Sequence, residues 1–275
     1  MEKPALRPRN PNSRKGENGR LVVIGGSSWY FGAPALASYA AMRAGADLVY
    51  TVVPNAIAPT VASYSPDLIV WSYLGSELNK SALELIVELE PKTDAMVIGN
   101  GLTRTPEVLE TAQSILDSWK KPIVIDADPI GFVKAKNKQT IFTPHDGEFL
   151  RLTGKKAPLE TNSRAKLVKE EAKKLGAVIL LKGPVDIISN GETTHLNKTG
   201  NSGMTCGGTG DTLSGLVGGF LSQGYGPAES ARLGAYINGL AGDLAFKELG
   251  YSLRASDLIS NIPKAMRDLR KDKGE

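Results

Sequence analysis

Short apolar runs separated by segments of helical spacing constrain this chain more than any other feature. Leu21–Ile24, Leu48–Val53, Ala95–Ile98, Ile123–Ile125 and Val178–Leu181 carry few polar interruptions. A strand with one wet face alternates polar and apolar residues, whereas a run without alternation suits a strand buried on both faces. Between these runs, Ala35–Arg43 is Ala-rich and closes on Gly45. Thr105–Trp119 and Ser163–Leu175 are amphipathic, the second closing on Gly176. Such alternation predicts an α/β fold, with a mostly parallel central sheet and helices on both faces. No Pro/Gly/Ser linker and no internal repeat divides the 275 residues. One domain over residues 1–275 is therefore expected, with 1–19 an extended arm and 255–275 a final helix that frays in its charged end.

Composition removes several function classes. A 41% hydrophobic content excludes disorder, and a lone cysteine, Cys206, excludes a disulfide scaffold and suits a reducing compartment. No run reaches the roughly 18 apolar residues of a membrane span, and the polar N-terminus does not read as a secretory leader. A cytoplasmic protein with no membrane partner is expected. Net charge is +4, from 33 basic and 29 acidic residues, and the 6% of aromatic residues are scattered. The basic clusters 134–138 and 267–273 read as solvated surface, so no nucleic-acid partner is expected. A mild positive bias equally suits an anionic small molecule.

In an open parallel sheet, ligands bind beyond the carboxyl ends of the strands. The strongest local feature is Asn201-Ser202-Gly203-Met204-Thr205-Cys206-Gly207-Gly208-Thr209-Gly210-Asp211, which runs into the apolar helical face of Leu213, Leu216, Val217 and Phe220. Unpaired N–H groups and a positive dipole end make a helix opened by glycines an anion site, because side chains would block a phosphate from the backbone. Asp211 is either an ordinary N-cap or a base placed to take a proton from a hydroxyl attacking phosphorus. The spacing of a Walker loop is absent. Gly25-Gly26-Ser27-Ser28-Trp29-Tyr30-Phe31-Gly32 is either a plain strand-to-helix turn or a weak dinucleotide signal.

Other candidates keep two readings each. His145, in Thr143-Pro144-His145-Asp146-Gly147-Glu148 after the short run Ile141–Phe142, either meets a ligand or caps the turn. Asp126 and Asp128 either hold Mg²⁺, usually through water, or end a strand. Lys182, in Lys182-Gly183-Pro184-Val185-Asp186, is either a nucleotide contact or a surface lysine. His195 reads as a strand residue and Cys206 as a packing residue, and the wide spacing of the two histidines and one cysteine makes no zinc site.

The combination Gly207-Gly208-Thr209-Gly210-Asp211, Thr143–Glu148, Leu180-Leu181-Lys182-Gly183, Ile125–Asp128 and Gly25–Ala33 resembles the ADP- or ATP-dependent NAD(P)H-hydrate dehydratases of the ribokinase-like superfamily. The likeness extends from about Arg7 to Lys264. Ser13-Arg14-Lys15-Gly16 is similar to a family motif with Arg14 where histidine is usual, and Asn100 replaces a common proline, a change expected to be mild because Asn tolerates tight turns. The resemblance implies a ribokinase-like three-layer α/β/α fold. It implies that Ala33, Gly101 and His145 line the pocket of the hydrate, and that Lys182, Gly183, Pro184, Val185, Asp186 and Gly210 contact the adenine nucleotide. Asp211 would touch the hydrate and perform the catalysis. ADP or ATP would donate a phosphoryl group with Mg²⁺ screening its phosphates, and the S epimer of NADH or NADPH hydrate would be returned to NAD(P)H with release of AMP or ADP and phosphate. It further implies a homo-oligomer, expected as a tetramer, and no epimerase domain within these residues.

Two other readings compete. A kinase of a thiazole or hydroxymethylpyrimidine alcohol would use the same glycine turn and Asp211, but Thr143–Glu148 and Tyr30–Ala33 argue against it. A non-catalytic nucleotide-binding regulator would have no need of the acid that Asp211 supplies.

Overall fold

The computed structural model describes residues 3–271, so the fraying expected at the charged end falls on 272–275, outside the described residues. Its centre is a nine-stranded sheet: β1 (Arg20–Ile24), β2 (Leu48–Pro54), β3 (Ile69–Tyr73), β4 (Ala95–Ile98), β5 (Ile123–Ile125), β6 (Thr140–Phe142), β7 (Val178–Leu181), β8 (Asp186–Ser189) and β9 (Thr194–Asn197). Their spatial order is β3-β2-β1-β4-β5-β6-β7-β8-β9. Every pairing from β3 to β7 is parallel, and β7-β8-β9 closes one edge as an antiparallel meander. The mostly parallel α/β sheet expected from the apolar runs is therefore present, and β4, β5 and β7 span the expected residues.

Successive side chains of a strand point to opposite faces, and the core divides accordingly. On one face Val22, Ile24, Met96, Ile98, Ile123 and Ile125 pack on α3 (Ala82–Leu89) and α4 (Pro106–Ser118). Further along that face, Ile179, Leu181 and Ile187 meet Phe149 of α5 (Asp146–Thr153) and Val168 and Ala172 of α6 (Thr161–Leu175). On the other face Leu21, Val23, Ala95, Val97 and Val124 pack on α1 (Ala33–Arg43), α7 (Thr209–Ser222) and α8 (Pro227–Leu249). The helix α9 (Ala255–Lys271) covers that layer through Ile259, Ile262 and Ala265. A short helix, α2 (Ala58–Ala62), links β2 and β3. Residues 3–19 run over the surface without a helix or strand. They are pinned by Arg9 to Asp47, Arg7 to Glu229, and the N–H groups of Gly16 and Asn18 to Asp47.

The helices α1 and α7 approach closely because α7 is glycine-rich along the contact. A Cβ on Gly215 would lie 2.1 Å from the carbonyl oxygen of Ala37, and one on Gly219 would lie 2.9 Å from that of Ala41. Gly215→Ala must push α1 and α7 apart, and a loss of about 1–3 kcal/mol is expected. Thermal unfolding checks this.

The chain leaves β1 toward β2 on one side and β4 toward β5 on the other, so the strand order reverses between the parallel neighbours β1 and β4. A crevice opens at such a reversal, beyond the carboxyl ends of the strands. The loop at 134–138 belongs to the opposite edge, at the amino end of β6, with Lys134, Lys136 and Lys138 exposed.

Candidate active site

The residues just beyond β4, β5, β6 and β7 join into one hydrogen-bonded chain. Asn100, in the turn after β4, donates from Nδ2 to Asp211 Oδ1 at 2.7 Å and lies 3.3 Å from Asp126 Oδ2 beyond β5. Asp126 Oδ1 accepts from Thr143 Oγ1 at 2.7 Å and from Lys182 Nζ, beyond β7, at 3.2 Å. Lys182 Nζ also faces Glu148 Oε2 at 3.6 Å, and that oxygen accepts the N–H of His145 at 2.8 Å. Asn100, Asp126, Thr143 and Glu148 are all buried. Burial lowers the Lys182 pKa, but Asp126 and then Glu148 more than offset it, so Lys182 is held as a cation.

The glycine turn meets this chain from above. Gly208 caps α7 with a φ of +94°, a left-handed conformation that favours glycine, and Asp211 is the third helical residue. The N-cap reading of Asp211 therefore fails. Among the described residues nothing accepts a hydrogen bond from the N–H groups of Thr209, Gly210 and Asp211. A Cβ on Gly207 would meet no atom within 4 Å, and one on Gly210 would meet only Lys182 Nζ, at 3.6 Å. Packing thus does not demand glycine at 207 or 210. What glycine provides is open backbone at both positions, at 210 beside the Lys182 ammonium, an arrangement suited to phosphate.

Asp211 has one oxygen fixed by Asn100, while nothing among the described residues donates to the other. Burial raises its pKa, and the Asp126 carboxylate raises it further. The Asn100 hydrogen bond and Lys182 pull it back, leaving it at about 7. A carboxylate poised there exchanges protons near neutral pH.

The remaining candidates fall in two groups. Gly101 has a φ of +73°, and a Cβ on it would lie 2.5 Å from Tyr30 O and 3.0 Å from Ala33 Cβ, so Ala33 and Gly101 sit together where the turns after β1 and β4 touch. His145 is the N-cap of α5, its Nδ1 accepting from Gly147 N at 3.0 Å and Glu148 N at 3.3 Å, with 57% of the side chain exposed. The structure thus gives His145 the capping role, with its Nε2 3.3 Å from Glu148 Oε1. Gly183, Pro184, Val185 and Asp186 form the β7–β8 hairpin that continues from Lys182. Asp186 is turned into that hairpin, accepting from Gly183 N and Asn197 Nδ2. Burial raises its pKa against those bonds.

Some expectations require correction. Asp126 and Asp128 do not act as a pair. Ala127 between them has a φ of +57°, and Asp128 turns away to Arg104 while Asp126 turns inward. No group of three or more His, Cys, Asp or Glu side chains among the described residues is placed to hold a metal ion. Two other expectations need no correction: Cys206 packs against Ala245, Leu253 and Leu258, and His195 pairs with Ile188 in the sheet. Asn100 is not the mild turn residue that a proline replacement suggests. Ala127 alone among the described non-glycine residues has a positive φ, so Asn100 is not there for its backbone, and its amide reaches the cluster. Glu148 and Ser214 went unmarked as site residues. Glu148 was detectable, since it completes a capping box with His145; nothing in the sequence marks Ser214. A cavity of about 490 Å³ between β9 and α8, lined by Leu196, Lys198 and Tyr236 among others, contains none of the cluster.

The mostly parallel sheet with its covering helices matches the crystal structure of a ribokinase-like superfamily protein from Enterococcus faecalis with a TM-score of 0.83 at 26% identity, over 97% of this chain and 92% of that one, and the fold is of the ribokinase-like class. Within that class, a family model described as NAD(P)H-hydrate dehydratase matches residues 21–264, and the chain belongs to that family. It is 44% identical over 269 residues to the ADP-dependent (S)-NAD(P)H-hydrate dehydratase of Nitrosopumilus maritimus, covering 96% of this chain and 93% of the relative. It is 40% identical to the bifunctional NAD(P)H-hydrate repair enzyme Nnr of Pyrobaculum aerophilum, covering 94% of this chain but 52% of that protein, so it spans about half the length of such bifunctional relatives. The crystal structure of the Bacillus subtilis ADP/ATP-dependent NAD(P)H-hydrate dehydratase co-crystallised with ATP/Mg²⁺ matches with a TM-score of 0.83 at 28% identity, over 96% of this chain and 95% of that one.

Proposed function

We propose that this chain dehydrates the S epimer of NADH or NADPH hydrate to NAD(P)H at the expense of an adenine nucleotide. The observation that carries the reading is Asp211, poised at about 7 with one oxygen anchored, on a glycine-opened helix start beside Lys182. The terminal phosphate lies on the N–H groups of the helix start and against the Lys182 ammonium. Asp211 takes the proton of the ring hydroxyl as its oxygen attacks the terminal phosphorus. The nucleotide leaves shorter by one phosphate, AMP when the donor is ADP. The ring hydroxyl becomes a phosphate ester, a better leaving group, and its elimination with a neighbouring ring proton restores the double bond. The name of the Nitrosopumilus maritimus relative supports ADP as the donor. Mg²⁺ would arrive with the nucleotide and screen its phosphates, since the donor set offers no cage of protein ligands. Ala33, Gly101 and His145 face the hydrate. Lys182 and Gly210 face the phosphates, and the hairpin of Gly183, Pro184, Val185 and Asp186 borders the nucleotide.

Supplying chemically hydrated NADH with ADP tests this. Return of the reduced-nicotinamide absorbance with release of inorganic phosphate supports it, whereas a stable phosphorylated alcohol from a thiazole or pyrimidine substrate supports the kinase reading. His145→Ala should cost about 1 kcal/mol through loss of the cap and raise KM for the hydrate more than KM for the nucleotide. Equal effects on both would confine His145 to the fold. The proposal extends to a single-domain, cytoplasmic homo-oligomer, expected as a tetramer, which sedimentation equilibrium of the purified chain tests.

A further inference from the structure

We propose that Asn100 is a positioning residue that clamps the Asp211 carboxylate in its reacting orientation and favours its ionised form. Its kinetic part rests on the reading of Asp211 as the base. Asn100 is fully buried. Its Nδ2 has two protons and three acceptors in reach: Asp211 Oδ1 at 2.7 Å, Ser214 Oγ at 2.9 Å and Asp126 Oδ2 at 3.3 Å. The Ser214 hydroxyl donates to the backbone oxygen of Asp211 at 3.1 Å, so it accepts from the amide. Asp211 and Ser214 lie three residues apart on α7. The amide therefore grips one turn of that helix and fixes both the carboxylate and the hydroxyl beside it.

Two observations separate this from packing. Asn100 Oδ1 is buried and meets no donor. An unsatisfied acceptor of that kind is costly, so an apolar side chain would serve packing better. The backbone does not require asparagine either, since its φ is not positive and its N–H donates to no group among the described residues. What asparagine adds is a donor aimed between the buried carboxylate of Asp126 and the half-buried one of Asp211. Around Asp211, burial and Asp126 oppose ionisation, while Asn100 and Lys182 favour it. Glu148 and His145 stand behind Lys182. Of the groups that favour the carboxylate, Asn100 alone hydrogen-bonds to it.

The test uses the full chain without ligands, labelled with carboxyl-¹³C aspartate. The Asp211 resonance is assigned by its loss in Asp211→Asn. Asn100→Ala deletes the amide, and Asn100→Pro deletes it while sacrificing no backbone hydrogen bond. Both should raise the Asp211 midpoint by about one pH unit. In turnover, the acid limb of kcat should move up by the same amount, lowering kcat about fivefold at pH 7, with KM for ADP within about twofold. An Asp211 midpoint that stays within about 0.3 units in both variants overturns the proposal. Hydrate turnover by Asp211→Asn would instead overturn the assignment of the base and leave the titration result standing.

Discussion

Asp211→Asn is expected to lower kcat for hydrate dehydration by about 10³–10⁴-fold, while nucleotide affinity stays within about tenfold. The amide keeps the size of the carboxylate but cannot take a proton. In the parent protein, turnover should fall about fivefold from pH 7 to pH 6 and about tenfold for each unit below that, because burial holds the Asp211 pKa at about 7 and only its ionised form is a base. The same shift has a consequence for stability. The Asp211 pKa is higher in the fold than its ordinary value of 3.8, so its stabilising contribution is complete below that value and is lost as pH rises through about 7. Asp211→Asn has no such loss. Above pH 8 the variant should be more stable than the parent by roughly 2–4 kcal/mol, and thermal unfolding across pH reads this directly. Near-parental turnover in the variant would remove Asp211 from the chemistry.

Lys182→Met is expected to damage both the fold and the use of nucleotide. It leaves the buried carboxylates of Asp126 and Glu148 without the cation that lies 3.2 and 3.6 Å from them. Breaking a buried ion cluster by removing one member costs about 3–5 kcal/mol. It also removes the charge beside Gly210, and KM for the nucleotide should rise about 10–100-fold. Denaturant melts and initial-rate measurements separate the two effects. A variant that folds normally and keeps its nucleotide KM would show that the ammonium faces no phosphate.

The sheet was legible because its central strands are buried on both faces and carry wholly apolar runs, as Ala95–Ile98 does. The elements missed are those where that rule weakens. The outer strand Ile69–Tyr73 has one neighbour and holds Ser72 among half-buried residues, so it resembles neither pattern. Asp186–Ser189 follows a Gly-Pro pair that reads as a loop and is in fact a hairpin turn. At the site, the glycines gave away the helix start, but the left-handed Gly208, three residues before Asp211, is the cap, so α7 starts at Thr209 and Asp211 lies inside it. The divergence of Asp126 and Asp128 depends on a left-handed alanine, which no residue type announces. The link between Asn100 and Asp211 joins positions 111 residues apart. Only the packing of α7 across the sheet brings them together, and a single sequence holds no trace of that distance.

The segregation of all the named reactive groups to one edge of the sheet makes the molecule suited to attachment by the other. Lys134, Lys136 and Lys138 stand exposed at the amino edge, away from Asn100, Asp126, Lys182 and Asp211. Coupling a bead, a surface or a fluorophore through a thiol introduced at Lys138 would leave the mouth of the crevice facing outward. An immobilised preparation of that kind should retain its substrate access, whereas tethering through Cys206, four residues before Gly210, would block it.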